Sequence, residues 1–330
     1  MRAVQVVEFG GPEVLVPGDV PPPAAGPGEV VVEVAVADVL FLDTQLRTGW
    51  GREWFPMALP YVPGNGVGGT VTEVGPGVDA GWVGRQVIAR VGRHVNGVQV
   101  PVGGYAERAA APVGELIEVP DGLGLPEAIT FLHDGATALH LLDRASIAEG
   151  EWVLVNAAGG SLGAFLVPLA KAAGAQVVGA ARGESKLALV REWGADAAVD
   201  YSEPGWVDRV RAVAEGVDVV FDGAGGARGR DAFELARPGA RFLAYGAASG
   251  DFVQVGPDEA RRREVRLIGM ADLGNDADKN HRNLRRLLAD AAAGKVRPFV
   301  GQTFPLERAG EAHAAIEERR TVGKTVLLVK

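Results

Sequence analysis

Hydrophobic and polar positions follow two regimes along this chain. Up to residue 124 the apolar residues come in short Val-rich runs, Val30 to Val36, Thr70 to Val74 and Gln86 to Val91. Clusters such as Pro21-Pro22-Pro23 and Gly26-Pro27-Gly28 separate them. Short runs at that spacing predict the strands of a small barrel or sandwich. One short helix is predicted at Leu40 to Arg47, where Asp43 and Arg47 stand four apart and can pair. After Pro126 the pattern changes to helices alternating with apolar strands, as in a doubly wound parallel sheet. Val153 to Val155, Gln176 to Ala181, Val217 to Asp222, Ala240 to Tyr245 and Val265 to Gly269 are its predicted strands. Asn280 to Ala293 reads as a helix with Leu284, Leu287 and Leu288 on one face. Gly323 to Lys330 is a Val/Leu strand expected to return to the first part.

The run from Trp152 to Gly183 carries the clearest chemistry. An apolar strand enters Ala157-Ala158-Gly159-Gly160-Ser161-Leu162-Gly163, an Ala/Leu-rich helix follows from Ala164 to Ala173, and a second strand closes the unit. This is the βαβ pattern of a dinucleotide site. The turn must be tight, its backbone must approach a pyrophosphate, and the helix must lie near its strand; small residues at Ala157, Gly160 and Gly163 permit all three. The N–H groups and dipole at the helix start favour the phosphate charge. Gly64-Asn65-Gly66-Val67-Gly68-Gly69 has a similar glycine spacing, but an alternating strand, Thr70 to Val74, follows it where a phosphate site needs a helix. Turn chemistry is expected there.

A chain of 330 residues exceeds the size of most single cores, so two domains are expected. The net charge of −9, with no basic tract, argues against nucleic-acid binding. No stretch reaches the ~18 apolar residues of a membrane span, and Glu8 and Gly10-Gly11-Pro12 interrupt any signal-like start. The absence of cysteine excludes disulfides, a Cys nucleophile and a Cys-based zinc site. The five histidines, His94, His133, His140, His281 and His313, show no ligand spacing and are expected at surface or structural positions.

Together these residues resemble the medium-chain dehydrogenase/reductase superfamily, in its zinc-free quinone oxidoreductase branch. The markers are Gly26-Pro27-Gly28-Glu29-Val30, Pro63-Gly64, Gly69 to Val78, Gly135-Ala136-Thr137-Ala138, the Ala157 to Gly163 turn, Gly194-Ala195-Asp196, Asp200-Tyr201, Asp218 to Asp222 and Gly239 to Gly246. The resemblance covers nearly the whole chain. It implies an α/β protein: a Rossmann doubly wound parallel sheet at 125–270, plus a GroES-like β-barrel catalytic domain at 1–124 and 271–330. Hydride transfer in the cleft between the domains is implied as well. Asn65 and Gly66 stand where zinc-using members have a His-Glu pair, and Leu40 falls where they supply a Cys, so no metal is expected. Leu40 and Gln45 also stand where quinone reductases of this branch often carry Asn and Tyr.

An NAD site places an acid about twenty residues past the turn. Here Arg182 and Lys186 supply positive charge instead, which favours the 2′-phosphate of NADP(H). The resemblance adds Tyr201 near the adenosine and Thr137 near the nicotinamide. The expected cofactor set is Thr137, Ala158, Gly159, Gly160, Ser161, Leu162, Gly163, Arg182, Ser185, Lys186, Tyr201 and Gly246. Phe41, Gln45, Trp50, Tyr61 and Tyr105 are the candidate acceptor pocket. The activity implied is metal-independent, NADPH-dependent reduction of a quinone, a small-molecule electron acceptor. The alternatives are reduction of a conjugated enone or enoyl C=C, and a non-catalytic NADPH-binding structural or regulatory role. A cytoplasmic homodimer, paired through the edge strand Val265 to Gly269, is expected.

Overall fold

A computed structural model describes every residue except 96, 275 and 330. It contains two compact units, Met1–His133 with His281–Lys330, and Asp134–Asn280.

The first unit begins with an antiparallel pair, β1 (Arg2–Val6) and β2 (Leu15–Asp19). The long strand β3 (Glu29–Val39) is the hub of a mixed sheet. One edge pairs with β4 (Gly66–Val74), which pairs in turn with β5 (Gln86–Arg90). A two-strand ribbon, β6 (Arg93–Val95) and β7 (Val98–Val100), follows. Then β8 (Arg108–Pro112) pairs with the first half of β3, and β9 (Leu116–Glu118) pairs with β5. Val30, Val32 and Val34 alternate into a core with Val67, Val71, Val87, Ala89 and Leu116. Fully burying each such side chain contributes roughly 1.5–3 kcal/mol.

The glycines of residues 64–69 serve that sheet more than a turn. Three of the four, Gly66, Gly68 and Gly69, lie in β4, and a Cβ on Gly69 would overlap the Glu33 carbonyl of β3. Helix α1 (Phe41–Arg47) forms, but the Asp43–Arg47 pair does not. Both side chains are buried and turn elsewhere: Asp43 accepts from Leu40 N–H (2.9 Å), while Arg47 donates to the Gly10 carbonyl (2.7 Å) and pairs with Glu317. Helix α2 (Leu125–Thr130) packs on β3, β4 and β5 and so belongs to the first unit, although the expected domain boundary at residue 124 places it in the second.

The second unit is one parallel sheet: β10 (Trp152–Asn156), β11 (Gln176–Ala181), β12 (Ala197–Asp200), β13 (Val217–Asp222), β14 (Ala236–Ala244) and β15 (Arg266–Gly269). The spatial order is β12-β11-β10-β13-β14-β15. That order reverses between β10 and β13, the switch point at which doubly wound sheets bind ligands beyond their strand ends. Helices α3 (Ala136–Ala145), α4 (Gly163–Ala172), α5 (Glu184–Glu192), α6 (Trp206–Ala214), α7 (Gly226–Phe233) and α8 (Pro257–Arg262) accompany it. Helix α9 (Ala277–Ala292) buries Leu284, Leu287 and Leu288, and runs into the returning part of the first unit. There β16 (Val300–Pro305) pairs parallel with β17 (Lys324–Leu328), and β17 pairs with the second half of β3. Helix α10 (Ala309–Glu317) packs between them in the chain.

Candidate functional site

The turn between β10 and α4 is built for a close backbone approach. Ala157 holds a φ of +67°, a left-handed conformation that is uncommon for a residue with a Cβ. Ala158 is fully buried, and its N–H donates to the Ala180 carbonyl of β11 (2.9 Å). A Cβ on Gly163 would overlap the Ala158 carbonyl oxygen and stand 2.7 Å from its Cα, so only glycine lets α4 reach the strand. A Cβ on Gly160 would meet nothing closer than the Ala157 carbonyl at 3.4 Å. The space there is open. The Ser161 hydroxyl is enclosed and has no hydrogen-bond partner. An orphaned hydroxyl and an open glycine at a helix start fit the pyrophosphate of a dinucleotide.

The second strand brings the predicted cations to that turn. A Cβ on Gly159 would lie 2.8 Å from Lys186 Cβ, so the Lys186 stem covers the turn. Arg182 and Ser185 are exposed at the start of α5. Asp200 is at the end of β12, near the position where an NAD-type acid is expected, but its carboxylate is engaged elsewhere. It accepts from Gly183 N–H (2.8 Å), from Ser202 N–H (2.8 Å) and from the Ser202 hydroxyl. Burial opposes its ionisation, but the Ser202 and Gly183 bonds and Arg209 hold its carboxyl below the usual range. Arg228 lies over the Tyr201 ring at 4.9 Å, a cation that local spacing missed because α7 supplies it from beyond two further strands. Across the switch point Asn156 donates to Asp222 (2.9 Å), which also accepts from Ala224 and Gly225 N–H (both 3.1 Å). Gly246 donates to the Asp222 carbonyl, and a Cβ there would stand 2.8 Å from Gly223 Cα. Thr137 is half-buried in the first turn of α3, which packs on α4.

The first unit holds two polar clusters inside its apolar strands. In one, Tyr105 donates to Asp43 (3.1 Å) and contacts His313 Nε2 (3.0 Å). Burial, with Arg47 nearby, pushes His313 down to about 3, so the ring is neutral and Nε2–H donates to the Tyr105 oxygen. Burial pushes the Asp43 carboxyl up to about 7, against the bond from Leu40 and with help from the charge of Asp38. In the other cluster Asp38 accepts from Lys324 Nζ (3.2 Å) and pairs with His133 Nδ1 (2.8 Å), while His133 Nε2 meets Asn65 Oδ1 (2.7 Å). Burial would raise the Asp38 carboxyl, but Lys324 and His133 outweigh it and hold it far below the usual range.

The candidate pocket residues separate into two groups. Phe41 and Trp50 are exposed, at 37% and 44%, and Trp50 meets a second exposed ring, Trp54, at 5.3 Å. Gln45 is half-buried and accepts at its carbonyl from Trp50 N–H (3.2 Å). Tyr105 is fully enclosed with its hydroxyl committed, which makes it a core residue and not a pocket wall. Tyr61 is also buried, with its hydroxyl unpartnered; burial and the Asp43 charge push it up. Among the described residues, no three His, Cys, Asp or Glu side chains gather as metal ligands would. No helix among them is long and apolar enough to cross a membrane.

A doubly wound sheet with this turn, joined in one chain to a GroES-like sheet, defines a class. The chain matches the alcohol dehydrogenase GroES-like domain over residues 26–121 and the zinc-binding dehydrogenase family over residues 193–327. It belongs to the medium-chain dehydrogenase/reductase superfamily, in its quinone oxidoreductase branch. It is 30% identical to a quinone oxidoreductase of Rattus norvegicus, covering 100% of this chain and 98% of the relative. It is 32% identical to a 2-haloacrylate reductase of a Burkholderia species, covering 99% of each. A mycobacterial protein solved in complex with NADPH superposes with a TM-score of 0.88 at 33% identity, over 99% of this chain and 100% of that one.

Proposed function

We propose that this chain is an NADPH-dependent oxidoreductase that reduces a quinone without a metal ion. The unit Asp134–Asn280 holds the cofactor, and the unit Met1–His133 with His281–Lys330 receives the acceptor. The observation that carries this reading is the turn of residues 157–163. Its open Gly160 and partnerless Ser161 hydroxyl suit a pyrophosphate, and Arg182, Lys186 and Arg228 suit a 2′-phosphate. When bound, NADPH supplies the hydride. The protein's own part is to orient the nicotinamide, with Thr137 beside it, and to present an apolar wall, Phe41 and Trp50, to the acceptor.

Metal independence rests on donor chemistry. The chain has no cysteine, and Leu40 and Asn65 stand at positions where zinc-using relatives supply ligands. Without a Lewis acid to polarise an alcohol, an electron-poor acceptor is the better substrate. The rat quinone oxidoreductase and the NADPH-bound neighbour support acceptor and cofactor. A second reading, reduction of a conjugated C=C, is favoured by the 2-haloacrylate reductase at 32% identity. A cytoplasmic homodimer completes the proposal, with β15 as the exposed edge strand that pairs. The test is NADPH oxidation with a panel of quinones and enones, with and without a chelator. Turnover of a simple benzoquinone that survives the chelator is the expected result; tight NADPH binding with no turnover of any acceptor would refute it.

A further inference from the structure

The cluster around His133 contains an unspent proton donor. Asn65 is fixed by two bonds to Val91: its carbonyl accepts from Val91 N–H (2.7 Å) and its Nδ2 donates to the Val91 carbonyl (2.5 Å). Its Oδ1 therefore faces His133, because turning the amide over would set two oxygens against each other. An oxygen 2.7 Å from Nε2 requires a proton on Nε2. The other nitrogen, Nδ1, faces Asp38, an ionised carboxylate that can only accept. Both ring nitrogens thus face acceptors, a hydrogen-bond pattern that a doubly protonated ring completes.

Asp38 serves a second cation as well. Lys324, 2% exposed, neutralises Asp38, which is fully buried. Arg90 donates to the Leu132 carbonyl (2.9 Å) and faces Glu115 (3.7 Å), Asp43 lies within reach of the Asp38 charge, and Asp134 follows His133 in the chain. His133 shares Asp38 with Lys324, and its side chain is still 17% exposed. Gly66 makes the arrangement possible, since a Cβ there would stand 2.6 Å from Asp38 Oδ1. The backbone beneath the ring, Phe131–Gly135, forms a π-turn, a feature that recurs at functional sites. By contrast, the tyrosines that could have supplied a proton are enclosed.

We propose that His133 is the general acid of the reduction, donating its Nε2 proton to the acceptor oxygen. The proposal rests on the reductase reading above. Hydride addition delivers two electrons and a hydrogen to the acceptor, and the displaced π pair ends on its oxygen. That oxygen takes the proton from Nε2, and the N–H bonding pair stays on the ring. His133 is left neutral, still donating through Nδ1 to Asp38, and water at its exposed edge restores the proton. Nε2–H is the proton that leaves because it is held by a neutral amide. An oxyanion is the stronger acceptor and takes it over, whereas the Nδ1 proton is held by a carboxylate. Asp38 and Asn65 are positioning residues.

The experiment compares wild type with His133→Gln, using NADPH and benzoquinone, in H2O and D2O. A positioned acid contributes about 10²–10⁴-fold. The expected result is a kcat lowered at least ~100-fold, with KM for the quinone and Kd for NADPH unchanged. The wild-type kcat should be slower in D2O, and the variant should lose that sensitivity. An active wild type matched by an equally active variant, or a loss confined to KM, overturns the role of His133 alone. A wild type inert to every acceptor overturns the reductase reading and this role together. Should His133→Gln fail to fold, the wild type decides: a kcat indifferent to D2O overturns the proposal.

Discussion

Gly163→Ala and Gly160→Ala each add one methyl to the same turn, yet the structure gives them opposite outcomes. At Gly163 the methyl overlaps the Ala158 carbonyl and lies 2.7 Å from Ala158 Cα. Those are backbone atoms, so no rotamer change relieves the clash and α4 must lift away from β10. Overpacking of this kind costs roughly 1–3 kcal/mol. Replacing glycine by alanine in a helix returns at most ~1 kcal/mol, less at its first residue, which leaves a net loss of about 1–2 kcal/mol. In a domain of this size each kcal/mol moves Tm by about 2–4 °C, so Gly163→Ala should melt several degrees early. At Gly160 the methyl meets only the Ala157 carbonyl, at an ordinary 3.4 Å, and stability should stay within about 0.5 kcal/mol. The same methyl occupies the space proposed for the pyrophosphate. NADPH should therefore weaken about tenfold or more, ~1.4 kcal/mol. Thermal melts and NADPH fluorescence titrations separate the two effects. A Gly160→Ala protein that binds NADPH like wild type refutes the pyrophosphate position. A Gly163→Ala protein that melts with wild type refutes the packing argument.

Three further outcomes are expected. Arg182→Ala and Lys186→Ala should each cost NADPH roughly 1.5–3 kcal/mol, about tenfold or more, and spare NADH; wild-type protein that binds both cofactors equally in titrations contradicts this. Because burial raises Asp43 from its ordinary 3.8 to about 7, its contribution to stability is full below pH 4 and is lost as pH rises through 7, by roughly 4 kcal/mol at most. Asp43→Asn can keep the bonds from Leu40 and Tyr105 while removing that loss, so urea unfolding at pH 5 and pH 8 should show a flatter profile than wild type; parallel profiles would count against it. Leu267→Pro removes a ladder N–H from the edge strand β15 and should release monomers or insoluble protein; sedimentation of wild type as a monomer at micromolar concentration would exclude the dimer.

The sheet strands and the tight turn between β10 and α4 were legible because each announces itself locally. A βαβ turn needs its small residues within seven positions of one another, and Ala157 to Gly163 supply them in sequence. The clusters of the first unit announce nothing locally. Asp38 sits in β3 among valines and alanines, and a strand so apolar reads the same with or without one carboxylate. Its partners come from 95 residues away, His133, and from 286 residues away, Lys324. Only the register of β17 on β3, with Val326 opposite Asp38, brings the lysine there. The same limit explains the Asp43–Arg47 pair. Four-residue spacing predicts an ion pair on an exposed helix face, but α1 buries both residues, and each then answers to groups that tertiary packing supplies. It also explains Arg228, whose stacking on Tyr201 joins α7 to the end of β12. One signal was available. A lone Asp and a lone Lys in two strands expected to be buried are each costly alone and tolerable together. Two such charges of opposite sign therefore predict one another as neighbours, and with them the pairing of the first long strand with the last.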